Sequence, residues 1–156
     1  MINPAEVQIK RKIISGISVQ TTNEKEMNPE TAKLSNLWSD FLEDELMKKI
    51  PDQVNKSLIH GVYSSYESDV NGKYTVTAGM EIKETKATSE NYSQAIIESG
   101  KYLVFKGTGS MPQIVIDTWT NVWNYFSEIY LYKRAYTTDF EQYTGSDQIE
   151  IYIAIQ

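Results

Sequence analysis

Glu141 stands in a stretch of unusual make-up. Between Tyr130 and Tyr143 the chain places Tyr130, Tyr132, Tyr136, Phe140 and Tyr143 around it, and a helical run just upstream adds Trp119 and Trp123. Carboxylates are rarely buried without a partner. An aromatic wall with a negative charge, by contrast, is the chemistry that holds an organic cation, drawn by the ring quadrupoles and by the carboxylate together. Glu141 therefore reads as the polar anchor of a small-molecule pocket, with Trp119, Trp123, Tyr136, Phe140 and Tyr143 as its wall. The same composition permits a plainer reading, in which Glu141 is a solvated strand residue and the tyrosines are half-buried in a sheet, where tyrosine is favoured.

A second acid, Glu67, sits beside Tyr66 and close to Tyr63; a solvated residue flanking a turn is the alternative there. Tyr63, Tyr66 and Tyr136 lie at strand ends or loops, where sites are often built, and Trp38 completes the aromatic candidates. Trp119 and Trp123 share one helix stripe, which also suits plain core. In an empty pocket, burial is expected to raise the Glu141 pKa above its usual value of about 4.3, and a bound cation to lower it again. Such a carboxylate could also act as a general base, with Tyr136 as the acid. Replacing Glu141 by alanine is expected to abolish cation binding and leave the melting temperature unchanged or raised.

The rest of the composition removes other chemistries. A net charge of −6 argues against a nucleic-acid surface, which needs a basic face. Without cysteine there is neither a disulfide framework nor a thiolate site, and a single histidine, His60, makes a zinc site implausible. No cofactor is expected, haem included, since His60 falls within a strand. No apolar run approaches the roughly 18 residues of a membrane span, and no secretory signal follows Met1. A cytoplasmic protein without a membrane partner is the expectation.

The elements that must position these residues follow from periodicity. Val7 to Val19 reads as one strand, interrupted near Ser15-Gly16. Asn28-Pro29-Glu30 reads as a helix start, with Asn28 as N-cap, and Leu34, Leu37, Trp38, Phe41, Leu42 and Leu46 form its apolar stripe up to Ile50. A strand over Ile59–Tyr63, a turn at Asn71-Gly72 and an alternating strand from Tyr74 to Ile82 complete a first half. After a polar link at 84–91 the order repeats: strands over 92–105 broken at Ser99-Gly100, a capping box at Ser110 and Gln113, and a helix with Val115, Trp119, Val122, Trp123 and Phe126 on one stripe. The aromatic stretch and a closing strand alternating from Ile149 to Ile155 end the chain. Each half is thus strand, helix, strand, strand. Two such units packed about a pseudo-two-fold axis cover each other, with the seam as the place for a pocket. In this alignment Tyr66-Glu67 corresponds to Phe140-Glu141.

These pieces, in order, resemble the GyrI-like small-molecule-binding domain, also called the AraC-type effector-binding domain. The residues that carry the resemblance are Met27 to Lys33 with Leu37-Trp38, His60-Gly61-Val62-Tyr63, Tyr66 to Asp69 with Gly72 to Val76, Gly100 to Phe105, Trp119 and Trp123, and Asp139-Phe140-Glu141-Gln142-Tyr143. The resemblance implies an α+β fold of two strand–helix–strand–strand (SHS2-like) units, residues 1–84 and 91–156 of a single domain 1–156, with antiparallel sheets and a central groove. It implies that Glu141 lies in that groove among aromatics and that the ligand is small, hydrophobic and often cationic, as in multidrug-sensing regulators. Relatives with a helix-turn-helix head bind operators; this chain begins at the first strand, so a stand-alone bacterial member without direct nucleic-acid contact is expected. The resemblance leaves two alternatives: a hydrolase of cyclopropane-type electrophiles using Glu141, and a gyrase-inhibitor-like module whose partner is a protein.

Overall fold

A computed structural model describes residues 4–69, 71–83, 91–128 and 131–156. The elements are β1 (Ala5–Ile9), β2 (Lys12–Thr21), α1 (Asn23–Glu26), α2 (Leu34–Glu43), α3 (Leu46–Lys49), β3 (Ile59–Ser64), β4 (Tyr74–Ile82), β5 (Ser93–Ile97), β6 (Gly100–Thr108), α4 (Gln113–Glu128), β7 (Arg134–Gly145) and β8 (Gln148–Ile155). The protein is α+β, as the pattern predicts. Its strands join in one antiparallel sheet of eight, in the order β1-β6-β8-β7-β3-β4-β2-β5. β7 and β3 pair at the centre, with Gly61 opposite Glu141 and Tyr63 opposite Asp139. β1 pairs with β6 and β5 with β2, so the first strand of each half lies outside the strands of the other.

The helices cover one face and leave a gap over the β3–β7 seam. On one side Leu37 and Phe41 of α2 pack with Val76, Ala78, Met80 and Ile82 of β4. On the other, Val122 of α4 packs with Leu103, Phe105, Ile151 and Ile153 of β6 and β8. The opposite face buries its own cluster, including Ile14, Val62, Tyr102 and Phe140. Both faces of the central strands are therefore covered, which is why β4 is buried along nearly its whole length rather than on alternate residues.

Local readings of the first half need three corrections. The first strand breaks at Lys10-Arg11, and Ser15-Gly16 lies inside β2 instead. Gly16 does serve a close approach: it pairs with Gly79, and a Cβ on it would run into the Ala78 carbonyl. Asn28 does not open the long helix. Its Oδ1 accepts the Glu30 N–H in an Asx turn, the same local chemistry as a cap. α2 begins at Leu34, where the Glu26 carboxylate accepts the N–H groups of Lys33 and Leu34 at 2.9 and 3.1 Å. An acid from the preceding turn thus satisfies the orphan donors and the helix dipole. The helix then stops at Glu43, and Glu45, at a φ of 51°, separates it from α3. At the start of α4, Gln113 donates to Asp117 in place of the capping box.

Candidate functional site

β7 carries the polar centre and does so through an irregularity. Strict alternation would put Tyr136 and Glu141 on opposite faces of the sheet. The β7–β8 register shifts between Arg134 and Asp139, and Tyr136 has a φ of 54°, in the left-handed region that a bulky residue rarely adopts. This bulge changes the parity, so Arg134 and Tyr136 before it and Asp139, Glu141 and Tyr143 after it all serve the helix-covered face. Phe140, between the acids, points the other way. It stacks on Tyr152 at 4.4 Å and packs against Tyr102, so it is core and not pocket wall, a correction to the sequence reading.

Glu141 is buried at 1% exposure, and its carboxylate is held by three donors. Trp119 Nε1–H and the Tyr63 hydroxyl donate to Oε2 at 2.6 and 3.1 Å, and the Tyr143 hydroxyl donates to Oε1 at 2.8 Å. Trp38 closes the back, its ring edge-on to Tyr143 at 5.3 Å. Burial raises the Glu141 pKa above its ordinary value, and the three hydrogen bonds pull the other way without reversing it. Burial and the neighbouring Glu141 charge push the hydroxyls of Tyr63 and Tyr143 well above 10, so both stay donors. Removing the carboxylate would leave three part-buried donors without their acceptor, which argues against the expectation that alanine here is harmless to stability.

In front of this layer lies a cavity of about 780 Å³, bounded by α4 on one side and the α1–α2 turn on the other. Tyr63, Tyr66, Tyr74, Trp119, Trp123 and Tyr136 line it, and Glu26, Asp69 and Arg134 bring the charges. The α4 stripe, which suited core as well as pocket wall, thus divides: Val122 is buried in the core, while Trp119 and Trp123 face the cavity, Trp123 at 49% exposure.

Of the residues singled out in the sequence, Tyr63, Tyr66, Trp119, Trp123 and Tyr136 are therefore wall. Glu141, Tyr143 and Trp38 form a layer behind it. Glu67 is exposed in the turn before β4, where its N–H donates to the Lys73 carbonyl; Gly61, not an acid, faces Glu141 across the seam. The hydroxyls on Glu141 belong to Tyr63 and Tyr143, whereas Tyr136 packs on Tyr66 and under Arg134. Tyr130 lies outside the described residues. Tyr74, Asp139 and Arg134 are the site residues that sequence reasoning missed. Asp139 was findable, being two residues before Glu141 on one strand. It is fully buried and accepts from Arg134 Nη2 at 2.7 Å, from the Tyr66 hydroxyl and from the Ala154 N–H.

His60 is packed on the opposite face. Its Nδ1 meets the Leu58 carbonyl at 2.8 Å and its Nε2 the Gln142 amide at 3.2 Å, and burial lowers its pKa to about 4. Among the described residues no cluster of three histidine, aspartate or glutamate side chains could hold a metal, and no helix is long and apolar enough to cross a membrane.

This geometry sits on a fold with known relatives. An integron cassette protein of Vibrio cholerae, VCH_CASS2, superposes with a TM-score of 0.84 at 42% identity, over 99% of this chain and 96% of its own. The structure of SAV2435 bound to tetraphenylphosphonium superposes with a TM-score of 0.77 at 18% identity, over 99% and 94%. In sequence, the candidate transcriptional regulator protein YobU of Bacillus subtilis (strain 168) is 27% identical over 93% of this chain and 92% of its own. The likeness to GyrI-like effector-binding domains of transcription regulators therefore holds at the level of the fold, while the family is a narrower one. The model that matches residues 7–155 is that of Cass2, the integron-associated effector binding protein, and this chain belongs to the Cass2 family.

Proposed function

We propose that this protein binds small hydrophobic aromatic cations in the cavity between α4 and the α1–α2 turn, and works as a ligand-sensing or ligand-sequestering protein of the transcription-regulator type. The observation that carries this is the pairing of wall and charge: Trp119 and Tyr63 present rings to the cavity while their N–H and O–H hold a buried carboxylate behind it. A cation over a desolvated ring gains about 0.5–2 kcal/mol. Here it would also meet the field of Glu141 one side chain away, in a low-dielectric setting where that field is little screened. Glu26 and Asp69 on the rim add the same sign. SAV2435, with the same fold, holds an aromatic cation. We also infer that the two halves are one duplicated unit, because the strand order maps onto itself when each strand of β1–β4 is exchanged for its counterpart in β5–β8.

Calorimetric titration with tetraphenylphosphonium and with the equally shaped anion tetraphenylborate tests the reading. One cation should bind per chain near micromolar, about −8 kcal/mol, and the anion should not compete. Equal affinity for both ions would remove Glu141 from the explanation.

Hydrolysis by the same acid finds less support. A general base must reach the water it deprotonates, and Glu141 is 1% exposed and is not among the residues that line the cavity.

A further inference from the structure

Among the described residues, three of the exposed large apolar side chains gather at one place. Met27 is 86% exposed and Ile116 54%, and both border the cavity together with Trp123. Met27 sits in the turn between α1 and α2, and the other two sit on α4. An exposed apolar residue standing alone needs no explanation, but residues from distant parts of the chain that meet around a hollow mark a surface for a ligand.

The lining changes character from floor to lip. The floor is aromatic, with ring centres stepping from Trp119 to Tyr63 at 5.0 Å and on to Tyr74 at 5.7 Å. The lip is aliphatic, with Met27 and Leu34 on one side and Val115 and Ile116 of α4 on the other. Aliphatic side chains lack the ring quadrupole that holds a cation. What they gain from a ligand is the burial of apolar area. Met27, unbranched and with three rotatable bonds, can mould itself to a flexible chain.

The lip is also continuous with the anchor. Val115 and Trp119 are neighbours at i and i+4, so it starts one helical turn from the indole that holds Glu141. From Ile116 to Trp123 it runs about 10 Å along α4. That shape suits an extended chain. The charges decide which head such a chain carries. Glu26 and Asp69 line the cavity as acids, and Arg134 is engaged with Asp139 at 2.7 Å. A carboxylate or sulfate head would meet like charge here, and a cationic head the opposite one.

We propose that the lip is a tail subsite, so that the cavity takes single-chain cationic amphiphiles, the head over Trp119 and Tyr63 and the alkyl chain laid on Met27, Leu34, Val115 and Ile116. The proposal rests on the cation-binding reading of the cavity. The test is calorimetry with N-benzyl-N,N-dimethylalkylammonium ions carrying ethyl, hexyl and decyl chains, all below micelle formation, with decyl sulfate as the anionic control. In the native protein each methylene laid on the lip should tighten binding about threefold, and decyl sulfate should bind far more weakly than the decyl cation. Met27→Ser combined with Ile116→Asn should flatten the dependence on chain length; both side chains are exposed, so the core is untouched. Leu42→Asn, at an equally exposed leucine of α2 away from the cavity, should keep it. Affinity that ignores chain length in the native protein, a length dependence that survives the double variant, one that Leu42→Asn also abolishes, or decyl sulfate binding as tightly as the decyl cation overturns the tail subsite alone. Failure of tetraphenylphosphonium to bind the native protein overturns the cavity reading, and the tail subsite with it.

Discussion

Gly61 and Glu141 face each other across the β3–β7 ladder, and the side chain that Gly61 lacks is the space the carboxylate occupies. A Cβ on Gly61 would lie 2.7 Å from Glu141 Oε1 and 2.9 Å from Trp38 Cζ2. Gly61→Ala must displace one of them, at a cost of about 1–3 kcal/mol for overpacking. Urea unfolding should show that loss together with weaker tetraphenylphosphonium binding, because the displaced acid leaves its place behind Tyr63 and Trp119. Native stability in the variant would mean that the seam yields freely.

Glu141 is tied to its neighbours by more than charge. Glu141→Ala leaves Trp119 Nε1–H and the hydroxyls of Tyr63 and Tyr143 without their acceptor. Each stranded donor costs about 1–3 kcal/mol where it finds no water. Glu141→Gln retains one acceptor oxygen and the volume, so its loss should be the smaller of the two. Both variants should weaken tetraphenylphosphonium at least about tenfold. A higher melting temperature for Glu141→Ala would show that the desolvation of the acid outweighs its hydrogen bonds.

Trp119 and Trp123 line the cavity and Trp38 does not, so emission reports on the site selectively. A bound aromatic cation should quench tryptophan fluorescence in the native protein and in Trp38→Phe, and much less in Trp119→Phe. Quenching that disappears with Trp38 instead would place the ligand elsewhere.

Acidity should act on binding through Glu141. Burial raises its pKa, so as the pH falls toward the ordinary carboxylate range the acid in the empty site protonates early and loses its hold on a cation. Affinity should therefore climb with pH through the raised value and then level off, with a proton released on binding below it. Glu141→Gln should show a flat profile. For stability the sign is opposite: a carboxyl with raised folded pKa favours the fold most below its unfolded value and loses that contribution as the pH rises through the folded one.

His60 should weaken the fold on the acid side. Its folded pKa of about 4 lies below the ordinary 6.5, so its contribution is complete above 6.5 and is lost as the pH falls through 4. The loss is on the order of 3 kcal/mol. Denaturant midpoints across this range should fall steeply in the native protein and less steeply in His60→Gln.

What the sequence determined by itself is what repeats locally. The period of two in β4 and β8, the stripes of α2 and α4, and the crowding of aromatics around Glu141 were readable because each depends on neighbours a few residues apart. The tertiary structure decided everything that joins distant positions. It set Gly61 against Glu141, brought Trp119 over the carboxylate, and let Glu26 cap a helix for which Asn28 looked suited. It also decided which apolar stripe faces a cavity, since a stripe over a hollow and a stripe over core have the same spacing. The bulge at Tyr136 is the sharpest case: one added residue inverts which side chains share a face, and only the pairing of β7 with β8 reveals where the ladder slips.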